Sequence, residues 1–314
     1  VTSPNASTNY VQNPSALAAT VSDAFGLIDR TSIAVTLDST SILNRLTLSQ
    51  IDQGQSYTVS GSIADSGALS EGAHTLRITA SDLGDNPAIP YAYSFIVDRS
   101  APAILLGAQD GVLTNNPNFE LPVSVVDNSP VTTTVKQNGV EIYSSTAAFF
   151  TAQITLQSGL NFFEVESVDA AGNHSAIASL SNVVLDRTPP VLSDFVPANG
   201  AALSNLSFSV SGKSSEALSS IIANGVALSL SPDKMTFTGQ LSATTEGPFA
   251  VHFVATDLAG NTASADNTVQ ISLRVLNASL VSVVPSDPGY VLVKGIIGAA
   301  RPGATITVQS GFFS

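Results

Sequence analysis

Apolar and polar residues alternate along this chain in three related segments. In Gly72-Ala-His-Thr-Leu-Arg-Ile-Thr-Ala-Ser-Asp82, the residues His74, Leu76, Ile78 and Ala80 fall on one face. In Gly159-Leu-Asn-Phe-Phe-Glu-Val-Glu-Ser-Val-Asp169, Phe163 and Val165 take those places. In Gly247-Pro-Phe-Ala-Val-His-Phe-Val-Ala-Thr-Asp257, Phe249, Val251, Phe253 and Ala255 do so. Arg77, Glu164, Glu166 and His252 occupy the other face. A period of two over this length predicts a strand with one buried side. The inward His74 reads as a partly buried packing histidine. Asp82, Asp169 and Asp257 stand 87 and 88 residues apart, and a fixed long period predicts tandem modules.

The punctuation repeats as well. Turns follow the second and third strands, Asp169-Ala-Ala-Gly172-Asn173 and Asp257-Leu-Ala-Gly260-Asn261, while the first copy reads Asp82-Leu-Gly84-Asp85-Asn86. Asp can cap such a turn and Gly supplies positive φ. Further strands lead to the linkers Val97-Asp98-Arg99-Ser-Ala-Pro102 and Leu185-Asp186-Arg187-Thr-Pro189-Pro190, where proline ends ladder pairing. Asn138-Gly139 and Asn224-Gly225 sit at matching places between β-type runs and predict tight hairpins. The expected unit is a seven-stranded, two-sheet sandwich. The fold class is therefore all-β, with immunoglobulin-like β-sandwich modules in an extended array. Their expected bounds are 1–98, 99–186 and 187–275, with 276–314 starting an incomplete fourth. That start shows in Gly298-Ala-Ala-Arg-Pro302-Gly303-Ala-Thr-Ile-Thr-Val308.

The Asp-x-Ala-Gly-Asn turns and Leu-Asp-Arg-Thr-Pro-Pro linker resemble the bacterial immunoglobulin-like repeats of large adhesins and other exported surface proteins. The architecture is also similar to that of cadherin-type repeats. The resemblance spans about the first 275 residues. It implies spacers, stalks or adhesive units at the cell surface or outside the cell.

Composition narrows this picture. Hydrophobic residues make up 44% of the chain and charged ones 11%, enough to build packed cores and too apolar for disorder. The formal net charge of −13 argues against nucleic acid, which demands a basic face. With no cysteine, disulfides and thiolate metal sites are excluded. The sequence holds no apolar run of the roughly 18 residues that a helical membrane span needs.

Acids carry the candidate chemistry. In such a sandwich the loops after the second and sixth strands share the pole where the chain enters. Asp127 follows the second strand of module two, Asp169 ends its sixth, and the linker residue Asp98 arrives at the same pole. Asp186, Glu216 and Asp257 repeat the set for module three, and Asp23, Asp29 and Asp82 supply the analogue for module one. Three acids converging from distant sequence suit a structural Ca²⁺, supplemented by carbonyls and water. The other reading makes them turn caps, with Arg99 and Arg187 as ion-pair partners. The next junction, near Arg274, has no acid and is expected to lack a cation.

No catalytic residues are nominated. His74, His174 and His252 all lie in or beside the repeated strand, and no nucleophile, zinc or phosphate-loop motif occurs. The chain is expected not to be an enzyme and to need no cofactor beyond Ca²⁺. Its expected partners are other modules of a longer chain and a cell-surface protein or glycan. A ligand-binding accessory region of a secreted enzyme or receptor is the competing reading, which exposed aromatics would favour. Tyr91 and Tyr93 share a strand face that packs inward on this reading. Of the adjacent pairs Phe149-Phe150, Phe162-Phe163 and Phe312-Phe313, one member each points outward, Phe162 being the foremost exposed candidate.

Overall fold

A computed structural model of the chain describes residues 9–14, 16–65, 68–273, 280–285 and 291–295. It falls into two compact units. The first comprises residues 1–112 and 116–185, the second 113–115 and 186–314. Regular structure among the described residues is almost wholly β, with short 3₁₀ turns at Arg30–Ser32, Leu43–Arg45 and Asp52–Gly54.

The first unit holds two sandwiches, each with its own core. In the first, Gly72–Thr79 pairs antiparallel with Tyr91–Val97 on one side and Ala34–Leu37 on the other. The facing sheet is Ala16–Ser22, Ser56–Ser62 and Leu46–Ile51. Leu76, Val59, Leu17 and Phe95 fill the space between them, each no more than 1% exposed. In the second sandwich, Gly159–Asp169 lies between Val131–Gln137 and Ala178–Leu185. It packs on the sheet of Phe149–Thr155, Asn118–Val126 and Ala103–Leu106. The alternation read from sequence fixes this core: Phe163 and Val165 are buried, while Glu164 lies on the outer face.

The second unit contains the third core. Gly247–Asp257 pairs with Thr262–Ile271 and Leu218–Ala223. Opposite stand Leu192–Val196, Ser207–Ser214, Thr236–Ser242 and Ser229–Leu230. Phe195 stacks on Phe253 at 4.9 Å, so aromatic packing joins the two sheets without Trp or disulfide.

The sandwiches carry more strands than the expected seven, with sheets of five and three, five and three, and four and five strands among the described residues. The entering strand is split between sheets. In the third sandwich Leu192–Val196 joins one sheet, whereas Ala202–Leu203 pairs parallel with Gln270 and Ile271 in the other. Asn138-Gly139 and Asn224-Gly225 are the expected hairpin turns. Both residues of each have positive φ (52° and 81°, 49° and 80°), the conformation a two-residue type I′ turn requires. Beyond the third core, Val281–Pro285 pairs antiparallel with Val291–Gly295. Arg274, the segment Gly298–Val308 and the pair Phe312-Phe313 lie outside the described residues.

Candidate cation sites

The fold brings together both predicted triads. Asp98, Asp127 and Asp169 each offer one oxygen, and the three oxygens lie within 4.8 Å of one another. Asp186, Glu216 and Asp257 do the same in the second unit. Two oxygens bound to one Ca²⁺ at its usual distances are at most about 5 Å apart, so either set can share an ion.

Each acid of the first triad is placed by a backbone device. Asp98 leaves the strand Tyr91–Val97, and its N–H donates to Val11 C=O at 3.0 Å. Its Oδ1 accepts the Ser100 N–H at 3.0 Å. Its Oδ2 is buried and has no hydrogen-bond partner among the described residues, and the residue as a whole is 6% exposed. Asp127 Oδ1 accepts from Ser129 N–H at 2.7 Å and Ser129 Oγ at 2.8 Å. Asp169 Oδ1 accepts the Asn173 N–H at 2.8 Å, and Oδ2 accepts from the Asn173 amide at 2.7 Å.

The second triad is built alike. Asp186 Oδ1 accepts the Thr188 N–H at 2.9 Å. Asp257 Oδ1 accepts from Gly260 and Asn261 N–H groups at 2.7 and 2.8 Å. Burial pushes the Glu216 carboxyl above its ordinary value, and the charges of Asp186 and Asp257 push it the same way. A cation among the three would reverse that repulsion.

Both halves of the competing reading can be placed. Turn capping is real, since one oxygen of Asp98, Asp127, Asp186 and Asp257 caps a backbone N–H. Ion pairing is not found: among the described residues no Arg or Lys forms a salt bridge with any of the six acids. Arg99 instead sends its guanidinium to Leu69 C=O at 2.8 Å, and its N–H meets Glu71.

The analogue in the first sandwich does not assemble. Asp23, Asp29 and Asp82 form no triad among the described residues. Asp29 turns to Thr31, Asp23 to the Phe25 N–H and Asp82 to Gly84 and Asn86. The loop between Ser22 and Ile33 is longer than its counterpart at Asp127–Pro130 and spends its acids on its own turns.

Sequence reasoning also missed a Ser–His–Asp contact. His74 Nδ1 lies 2.6 Å from Asp38 Oδ2, and Ser70 Oγ is 3.5 Å from Nε2. Nε2 is closer to the Ser70 carbonyl, at 2.9 Å, than to its hydroxyl. The buried ring also stacks on Phe95 at 5.6 Å, so the contact serves as a packing clamp. Exposed aromatics also differ from expectation. Phe162 is half-buried, whereas Phe25 is 99% and Phe149 68% exposed. Tyr93 is buried as its face predicted, whereas Tyr91, expected to pack inward beside it, is exposed.

No protein-family model and no curated protein matches the chain. Solved structures that match the chain include fibronectin(III)-like modules of Clostridium thermocellum CbhA, at 15% identity, covering 55% of this chain and 94% of that one with a TM-score of 0.34. An I-band fragment of titin shows 12% identity over 84% of this chain and 94% of that one, with a TM-score of 0.42. An ICAM-5 ectodomain fragment shows 15% identity over 87% and 76%, with a TM-score of 0.34. The chain is an all-β protein of tandem immunoglobulin-like sandwiches. None of its described helices is long and apolar enough to cross a membrane.

Proposed function

We propose that this chain is a non-catalytic structural or adhesive segment of an exported bacterial surface protein, with modules meeting near residues 98, 186 and 275. Ca²⁺ at the two triads ties each linker acid to two loops of the following module and stiffens the segment. The observation that carries this reading is Asp98 Oδ2, a carboxylate oxygen buried beside two other acids with no donor of its own. An unpaired buried polar group costs about 1–3 kcal/mol, and a cation removes that cost. Melting in Ca²⁺ against melting in a chelator tests it. A higher midpoint with Ca²⁺, unaffected by Na⁺ at matched ionic strength, supports the reading, and identical midpoints sink it.

A second reading, a ligand-binding region for a glycan or cell-surface protein, draws on the outer face of the second sandwich. There Leu105 and Phe149 flank Ser124 in register, and both are largely exposed. Retention of the chain on immobilised glycans, lost on Phe149→Ala, would favour it over a purely structural role.

A further inference from the structure

We infer that Asn173 is a positioning residue of the first cation site, holding the linker acid and the loop acid in one frame. The inference rests on the cation reading above. Asn173 uses nearly all its polar atoms for this. Its N–H donates to Asp169 Oδ1 at 2.8 Å, and its carbonyl accepts the Asp169 N–H at 3.0 Å. One hydrogen of its amide goes to Asp169 Oδ2 at 2.7 Å, and the other goes to the Asp98 carbonyl at 3.0 Å. A single planar group thus fixes a carboxylate on one element and the backbone of a residue 75 positions away. With its carbonyl held by Asn173 and its N–H by Val11, the Asp98 backbone is fixed at both ends, and the residue offers one carboxylate oxygen within 4.8 Å of oxygens on Asp127 and Asp169.

The other two sandwiches act as internal controls. Asn261 makes the same pair of amide bonds, to Asp257 Oδ2 at 2.8 Å and to the Asp186 carbonyl at 3.0 Å, again across 75 residues. That sandwich has a triad. Asn86 in the first sandwich makes the local bonds to Asp82, at 2.9 and 2.8 Å, and Asp82 belongs to no triad among the described residues. The bonds within the turn therefore occur with or without converging acids. Among the described residues, the amide bond that reaches back 75 positions occurs at Asn173 and Asn261, beside the two triads. The Asn side chain supplies both hydrogens: an ionised Asp at this place would offer none, and Ala has no polar side-chain atom.

Groups that orient metal ligands typically govern affinity by about 10–100-fold. Calorimetric titration of the whole chain with Ca²⁺ compares wild type, Asn173→Ala and Asn173→Asp, alongside melting of each in chelator. Positioning predicts that both variants weaken the first site by about 10–100-fold and leave the second unchanged. The Asp variant is the sharper test, because it adds a negative charge beside the site. If charge alone sets affinity, Asn173→Asp binds tighter than wild type, and the inference is overturned. Affinity of Asn173→Ala within about twofold of wild type overturns it too. A lower midpoint in chelator with unchanged affinity assigns Asn173 to the turn alone and is equally fatal. Should the Asp variant fail to fold, Asn261→Ala and Asn261→Asp put the same question to the second site. Absence of any Ca²⁺ binding by wild type overturns the cation reading itself.

Discussion

Asp98→Asn should change the sign of its effect with the presence of Ca²⁺. Without the cation, the buried Asp98 carboxyl has oxygens of two other acids within 4.8 Å and, among the described residues, one oxygen without a hydrogen-bond partner. At the 4.8 Å outer limit and an effective dielectric of about 20, a fully ionised like-charge pair would repel by roughly 3–4 kcal/mol before solvent screening. Asp127 is half-buried and water screens it, so a net relief of about 1–3 kcal/mol is the reasonable expectation when the charge is removed. The Asn amide also supplies hydrogens that a neighbouring carboxylate can accept. In about 10 mM Ca²⁺ the balance reverses. A site of roughly 10⁻⁴ to 10⁻³ M affinity, usual for extracellular modules, adds about 1.4–2.7 kcal/mol to the wild type. Asp98→Asn forfeits that gain. For a compact unit of two sandwiches, 1 kcal/mol moves the midpoint by about 2–4 °C, so both effects are readable by scanning calorimetry. The variant should melt above wild type in chelator and gain little or nothing from Ca²⁺, while wild type gains. A variant less stable than wild type in chelator would refute the reasoning. Asp98 would then act through its cap to Ser100, not as one of three repelling charges.

Two further outcomes follow from the packing and the clamp. Phe163→Ala should destabilise the second sandwich by about 3–5 kcal/mol, because the ring is wholly buried and stacks on Phe119 at 5.5 Å. Glu164→Ala beside it should cost under about 0.5 kcal/mol, and equal costs in denaturant melts would contradict the face assignment. In the first sandwich, burial pushes the Asp38 carboxyl up, but the Thr75 N–H and the hydrogen bond and charge of His74 together hold it below its ordinary value. A depressed carboxyl contributes stability above its unfolded value, near about pH 4, and loses it as pH falls through the folded value. Wild type should therefore lose more stability than Asp38→Asn on acidification below about pH 4. Parallel melting profiles for the two would remove Asp38 from the acid response.

How much of this was legible in sequence depended on the range of the interaction. Alternation at Leu76, Phe163 and Phe253 named the inward face because side-chain direction in a strand is a local property. Asn138-Gly139 named its turn for the same reason. Both triads were legible because the repeat placed each acid at the end of an element whose pole the sandwich topology dictates. The first-sandwich set failed because loop length, not strand order, decides where Asp23 and Asp29 point. Alternation tells which side of a strand Phe162 takes but not what else covers that side, so Phe149 was the more exposed ring. The reach of Asn173 to the Asp98 carbonyl and the clamp of His74 on Asp38 are tertiary contacts across 75 and 36 residues, and neither has a local signature.

On the proposed reading each triad shares one divalent cation. Long-wavelength anomalous diffraction from crystals grown with Ca²⁺ tests it most directly. One anomalous peak is expected within about 2.3–2.6 Å of oxygens on Asp98, Asp127 and Asp169, and a second among Asp186, Glu216 and Asp257. No anomalous peak at either triad, with water or a protonated carboxyl meeting Asp98 Oδ2 instead, would contradict it.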